Sequence, residues 1–193
     1  MKFRFGSPPE AVDFDPDRLE WHPLKEPSPW LAQFLALPIG IAFATGLGIV
    51  WIALGTVDVL SPPSGAAAIL IIVLLIPVHE LLHVLIHPGS GRSRSTIVGF
   101  WASRLLFYAR YDDVIRRNRF IVVLVFPFAA LSTLPLCVSL LAGMESWVLA
   151  FSSIFNGLLS CVDLLGALLL VVQVPKTAMT RNKGYKTYWK LES

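Results

Sequence analysis

Long apolar runs separated by short polar breaks dominate the chain. Four of them, Leu31 to Val57, Ala66 to His87, Phe120 to Ala142 and Trp147 to Val174, reach the length needed to cross a bilayer as helices. The second, 22 residues long, extends about 33 Å at helical rise. Asp58 to Gly65, with Pro62-Pro63, and Gly143 to Ser146 read as tight turns, and Pro88-Gly89-Ser90-Gly91 stops the second run. Ahead of the first run, Met1 to Pro29 holds six acids and six prolines, so it cannot keep a long helix and is expected to lie at the membrane surface or be partly disordered. Pro175 ends the fourth run. Lys176 to Ser193 is a basic tail ending in Tyr185, Tyr188 and Trp189, expected to rest on the surface.

The one sizeable polar segment after the arm is Arg92 to Arg119. Thr96 to Trp101 and Leu105 to Tyr111 are rich in β-branched and aromatic residues on either side of Ala102-Ser103-Arg104, which predicts a small hairpin or an interfacial loop. Asp112 to Arg119 is a charged lead-in to the third run. The fold class expected is therefore an all-α integral membrane protein: four transmembrane helices, with a small interfacial hairpin or loop between the second and third. Residues 1–30 form an amino-terminal arm, 31–175 the four-helix domain and 176–193 the tail.

Composition agrees with that reading. Of 193 residues, 55% are hydrophobic and only 15% charged, too little charge for a soluble domain of this size. No apolar core of a cleavable signal peptide is visible in the arm. Cys137 and Cys161 sit in apolar runs, form no Cys-x-x-Cys pair, and read as small buried hydrophobes. There is no internal repeat.

A pI near 9.0 raises the question of nucleic acid, and the placement of charge answers it differently. The arm carries four Lys or Arg, the segment between the second and third runs seven, and the tail five, which is the whole complement of 16. The other two breaks hold only Asp58 and Glu145. By the positive-inside rule both termini are cytoplasmic, as expected of a protein in the plasma membrane of a prokaryote. The basic charge is a topology signal, with no nucleic-acid partner implied.

The candidate chemistry lies in the second run, at His79-Glu80-Leu81-Leu82-His83. On a helix the two histidines are one turn and about 6 Å apart on a shared face. Imidazoles so placed can grip one zinc ion, and Glu80 beside them can act on a metal-bound water. The bland alternative is a helix with two satisfied histidines. It is disfavoured by setting, because ionisable side chains within an apolar span are costly and default to function.

A catalytic zinc takes three protein ligands and keeps one open position. Asp58 and Glu145 belong to the outer turns. His87 is two turns from His79, about 12 Å along the axis. Asp112 and Asp113 read as a solvated lead-in, and His22 as an ordinary exposed histidine of the arm. Asp163 remains, the carboxylate within the last two runs, at a depth matching the motif. Asn156, Ser160 and Asp163 stand at i, i+4 and i+7 and share one face. The two neutral members of that stripe also suit plain helix–helix hydrogen bonding.

The His79-Glu80-x-x-His83 helix, followed by a later span with Asn156, Ser160 and Asp163, resembles the site-2 protease group of intramembrane zinc metalloproteases, and in particular the small family of membrane zincin peptidases related to it. The likeness covers roughly Ala66 to Val174. It implies a zinc-dependent peptidase acting on a membrane protein or peptide substrate within the bilayer, near its cytoplasmic face. It implies Asp163 as third zinc ligand, Glu80 as catalytic base and a substrate-holding role for Asn156, with Ser160 on the same stripe. It further implies that the Thr96 to Tyr111 segment pairs with an unwound substrate strand. The chain departs from the larger group in lacking Asn-Pro-x-x-Asp-Gly: Asn156 precedes Asp163 by seven residues and Leu164 follows it. The competing classes are a transporter-like protein, which would usually show repeats, and an inactive metal-binding scaffold, which would be expected to lose Glu80 or a ligand.

Overall fold

The computed structural model of the chain describes residues 1–9, 13–17, 20–55, 64–102, 106–144 and 146–192. The expected turn at Asp58 to Gly65 falls mostly outside them, as do Glu145 and the centre of the hairpin at 103–105. The helices are α1 (Pro29–Ala53), α2 (Gly65–Ile86), α3 (Arg117–Phe128), a π-helical turn (Ala129–Thr133), α4 (Leu134–Ala142), α5 (Trp147–Leu159) and α6 (Cys161–Gln173). Three stretches, Pro29–Ala53, Gly65–Ile86 and Arg117–Ala142, are each long and apolar enough to cross a membrane. The α5–α6 pair makes a fourth if taken as one span, bent by 51°.

That bend departs from the expected continuous helix, and it falls at Ser160. Its hydroxyl donates back to the Asn156 carbonyl at 2.8 Å, one turn upstream, alongside the Ser160 amide at 2.9 Å, a back-bond of the kind that often accompanies helix bends. α1 packs on both halves of the broken span. Gly40 allows the approach: a Cβ there would stand 2.8 Å from Cys161 Cβ and 2.9 Å from the Leu158 carbonyl oxygen. Small residues let membrane helices come this close.

The all-α expectation needs correction, because two small sheets join the segments outside the helices. The strands are β1 (Lys2–Phe5), β2 (His22–Pro23), β3 (Thr96–Trp101), β4 (Leu106–Tyr111), β5 (Ile115–Arg116), β6 (Ala178–Lys183) and β7 (Lys186–Leu191). The predicted hairpin is β3–β4, antiparallel, with Thr96 opposite Tyr111 and Trp101 opposite Leu106. β1 adds to it in parallel, Lys2 opposite Ile97 and Phe5 opposite Phe100. The second sheet has the order β2-β7-β6-β5, with His22 opposite Trp189 and Ile115 opposite Thr180. Arm and tail thus meet in one sheet. Leu24, Leu170, Val174 and Ala178 form a buried cluster that seats it on α6. The prolines of the arm rule out a helix but not strands of two to four residues. Parallel pairing across ninety-odd positions leaves no local periodicity to read.

The pairings also bring the three basic segments of the chain to one end of the bundle, since β1 joins β3, β2 joins β7 and β5 joins β6. At that end α2 stops. Gly91 lies against its last turn with φ +75°, where a Cβ would stand 2.2 Å from Val84 Cγ1. The guanidinium of Arg119 donates to the carbonyls of Ile86 and His87 at 3.0 and 3.1 Å, satisfying two of the orphan acceptors of the helix end.

Candidate metal centre

The motif occupies the last two turns of α2, facing inward: His79 and His83 are 2% and 5% exposed. Their rings are 5.0 Å apart between centroids. The bend at Ser160 places Asp163 in the first turn of α6, where its Oδ2 lies 3.0 Å from His79 Nε2 and 3.5 Å from His83 Nε2. Donors held at zinc–nitrogen and zinc–oxygen distances near 2.0–2.1 Å around a tetrahedral ion stand about 3.3 Å from one another. The two observed separations bracket that value. Ligand atoms of His79, Glu80 and His83 also fall within 4.8 Å of one another. Each of the two carboxylates therefore lies near the histidine pair. Asp163 Oδ2 is the oxygen set against both Nε2 atoms.

The far side of each ring is tied down as well. His79 Nδ1 donates to Asn156 Oδ1 at 2.8 Å, and His83 Nδ1 donates to the Val123 carbonyl at 2.7 Å. With both Nδ1 positions protonated, both Nε2 lone pairs face the common space, the arrangement that orients metal-ligating histidines. The donor set, two buried imidazoles and a carboxylate converging through His79 Nε2, His83 Nε2 and Asp163 Oδ2, fits a zinc ion.

Asn156 is fully buried, and its amide is committed inside the bundle. Besides holding His79, its Nδ2 donates to the Pro127 carbonyl at 3.1 Å, to Ser132 Oγ at 2.8 Å and to Ser160 Oγ at 3.3 Å. A further line runs outward, from Trp51 Nε1 to Ser153 Oγ at 3.1 Å and from Ser153 Oγ to the Ser132 carbonyl at 2.6 Å. A network with every member bonded is rigid, and it fixes how α1, α5, the π-helical turn and α2 meet. Ser160 belongs to this network and, like Asn156, has no exposed surface.

The remaining candidates lie elsewhere. His87, at the end of α2, packs its ring 5.7 Å from that of Tyr111, and its buried Nδ1 has no hydrogen-bond partner among the described residues. Asp112 pairs with Arg110 at 3.1 Å, and Asp113 caps the Val114 amide at 2.7 Å. His22 lies over Trp189 in the second sheet. Sequence reasoning missed Val123, Ser132, Ser153 and Trp51. Backbone groups carry no residue-type signal. The one clue available was Pro127, whose missing N–H leaves a carbonyl free one turn earlier.

An inward-facing His-Glu-x-x-His helix completed by a carboxylate from a later helix defines a metallopeptidase-type centre. A family model described as "putative zincin peptidase" matches residues 72–179, more than half of the chain, including His79, Glu80, His83, Asn156, Ser160 and Asp163, and the chain belongs to that family. No curated protein and no solved structure matches it.

Proposed function

We propose that the protein is a zinc-dependent peptidase that cleaves membrane-embedded or membrane-proximal peptide substrates at the end of the bundle carrying the basic segments. The observation that supports it most is the position of Asp163 Oδ2 against both histidine Nε2 atoms, with Glu80 alongside. His79, His83 and Asp163 would hold the ion. When bound, zinc lowers the pKa of a coordinated water toward about 7 and polarises a carbonyl oxygen.

This chain's residues do the rest. Glu80 accepts the proton of the attacking water and returns it to the leaving amine. Asn156 and Val123 keep the two imidazoles from rotating, while the surrounding helices limit bulk water. β4 is an edge strand of its sheet and packs against α2, the helix that carries Glu80. An extended substrate segment laid along that edge would pair its backbone as an added strand beside the base. Asn156 then acts on the substrate only indirectly, through His79. The basic end is the cytoplasmic one on the positive-inside rule, with both termini there.

The test uses the purified full-length chain in detergent or vesicles, loaded with zinc and given a model membrane-spanning substrate. Fragments should appear, disappear on chelation and return with added zinc. Zinc-loaded protein that never cleaves, while binding the metal in a 1:1 ratio, would point to a metal-stabilised scaffold.

A further inference from the structure

The two histidines are anchored from their far sides by acceptors that meet at one residue of α3. An α-helix bonds each carbonyl to the N–H four residues on. For Val123 that donor would come from position 127, which is proline and has none. The proline ring also crowds the carbonyl four residues back and tilts it out of the helix. Val123 O is the atom that accepts from His83 Nδ1 at 2.7 Å. On its other side, the carbonyl of Pro127 accepts from Asn156 Nδ2 at 3.1 Å, and Asn156 Oδ1 accepts from His79 Nδ1 at 2.8 Å. Immediately downstream the chain turns π-helical over Ala129–Thr133, so the ordinary ladder is broken there too. Val123 is 3% exposed, and Pro127 has under 2% of its surface accessible. Water therefore does not supply these bonds.

We propose that Pro127 is a positioning residue for both metal-facing histidines. Its missing N–H frees the Val123 carbonyl for His83, and its own carbonyl fixes the Asn156 amide that holds His79. One backbone irregularity in α3 sets the tautomer and the rotation of two side chains on α2. The inference rests on the zinc-site reading and names no new ligand.

The test is cobalt(II) binding by the full-length chain, read as visible absorption and as affinity in competition with a chelator. Pro127→Ala and Pro127→Gly both return an N–H that competes for Val123 O. Each should weaken Co²⁺ by roughly 10-fold or more, the usual effect of disturbing a group that orients a ligand. Each should also shift the absorption bands. Pro38→Ala, the same change inside α1, should bind as the parent does. Ala and Gly differ in helix propensity, so the two variants will melt at different temperatures without metal. The proposal requires equal weakening of Co²⁺ in both. It is overturned if the variants match the parent in affinity and spectrum, or if affinity simply follows metal-free melting, since Pro127 would then be structural. A parent chain that binds no Co²⁺ overturns the zinc reading itself, which is a separate result.

Discussion

Asp163 Oδ2 stands 3.0 Å from His79 Nε2, joining residues 84 positions apart. The carboxylate sits in the first turn of α6, three residues past the break at Ser160. Removing the carboxylate should therefore remove the metal. Asp163→Asn is expected to lose zinc, because a neutral amide is a poor ligand. His87→Ala should keep it, since that ring packs on Tyr111 instead. Metal content of both variants, measured on protein purified in parallel, checks the assignment. The reverse pattern would remove Asp163 from the site.

Glu80 should separate binding from chemistry. Glu80→Gln keeps shape and hydrogen-bonding reach but cannot take a proton. It is expected to bind zinc normally and to cleave about 10²–10⁴-fold more slowly. Cleavage at the parental rate would dismiss Glu80 as the base.

Asn156 gives a third prediction. Asn156→Leu leaves His79 Nδ1, the Pro127 carbonyl and Ser132 Oγ without their buried partner. Unpaired buried polar groups cost about 1–3 kcal/mol each, and metal affinity should fall by roughly 10–100-fold. Thermal unfolding of the metal-free chain and zinc competition would show both losses. If substrate cleavage fell while zinc affinity stayed at the parental level, Asn156 would be contacting substrate directly.

Outside the membrane-spanning segments, Glu26 ties the arm to the tail by accepting from the Thr187 amide at 2.8 Å and from its hydroxyl at 2.7 Å. Burial raises its pKa above the ordinary glutamate value, against the opposing pull of those Thr187 bonds. A folded-state pKa above the unfolded one means that its contribution is greatest at acid pH and is lost as pH rises through the folded value. Glu26→Gln should remove that loss, flattening the fall in stability above the usual carboxylate range. A parental slope in the variant would exclude Glu26 as its source.

Topology can be read with reporter fusions at Gly65 and Gly143, both of which should lie outside the cell. A cytoplasmic signal at either would break the depth match between the motif and Asp163.

Much of this protein could be read from its sequence. Apolar length placed the helices within a few residues, because spanning lipid imposes a minimum run that composition shows directly. His79, Glu80 and His83 were legible because one helical turn is a local distance. Asp163 stood out because a bare carboxylate in an apolar run is costly wherever the chain takes it. The hairpin β3–β4 was visible in its aromatic and β-branched residues.

The tertiary structure decided the rest. The arm read as a surface segment until pairing with β3 and β7 made strands of it, since strands of two to four residues are held there by partners far away in sequence, whereas the β6–β7 hairpin of the tail, Lys183 opposite Lys186, is local. The break at Ser160 interrupts an apolar run whose composition reads as one continuous span. The anchors of the two histidines are the Val123 carbonyl and the Asn156 amide. One is a backbone atom that every residue possesses, and the other is a side chain whose meaning depends on what it faces. Sequence specifies the groups available for chemistry, but only packing determines which backbone carbonyl is left free to hold them.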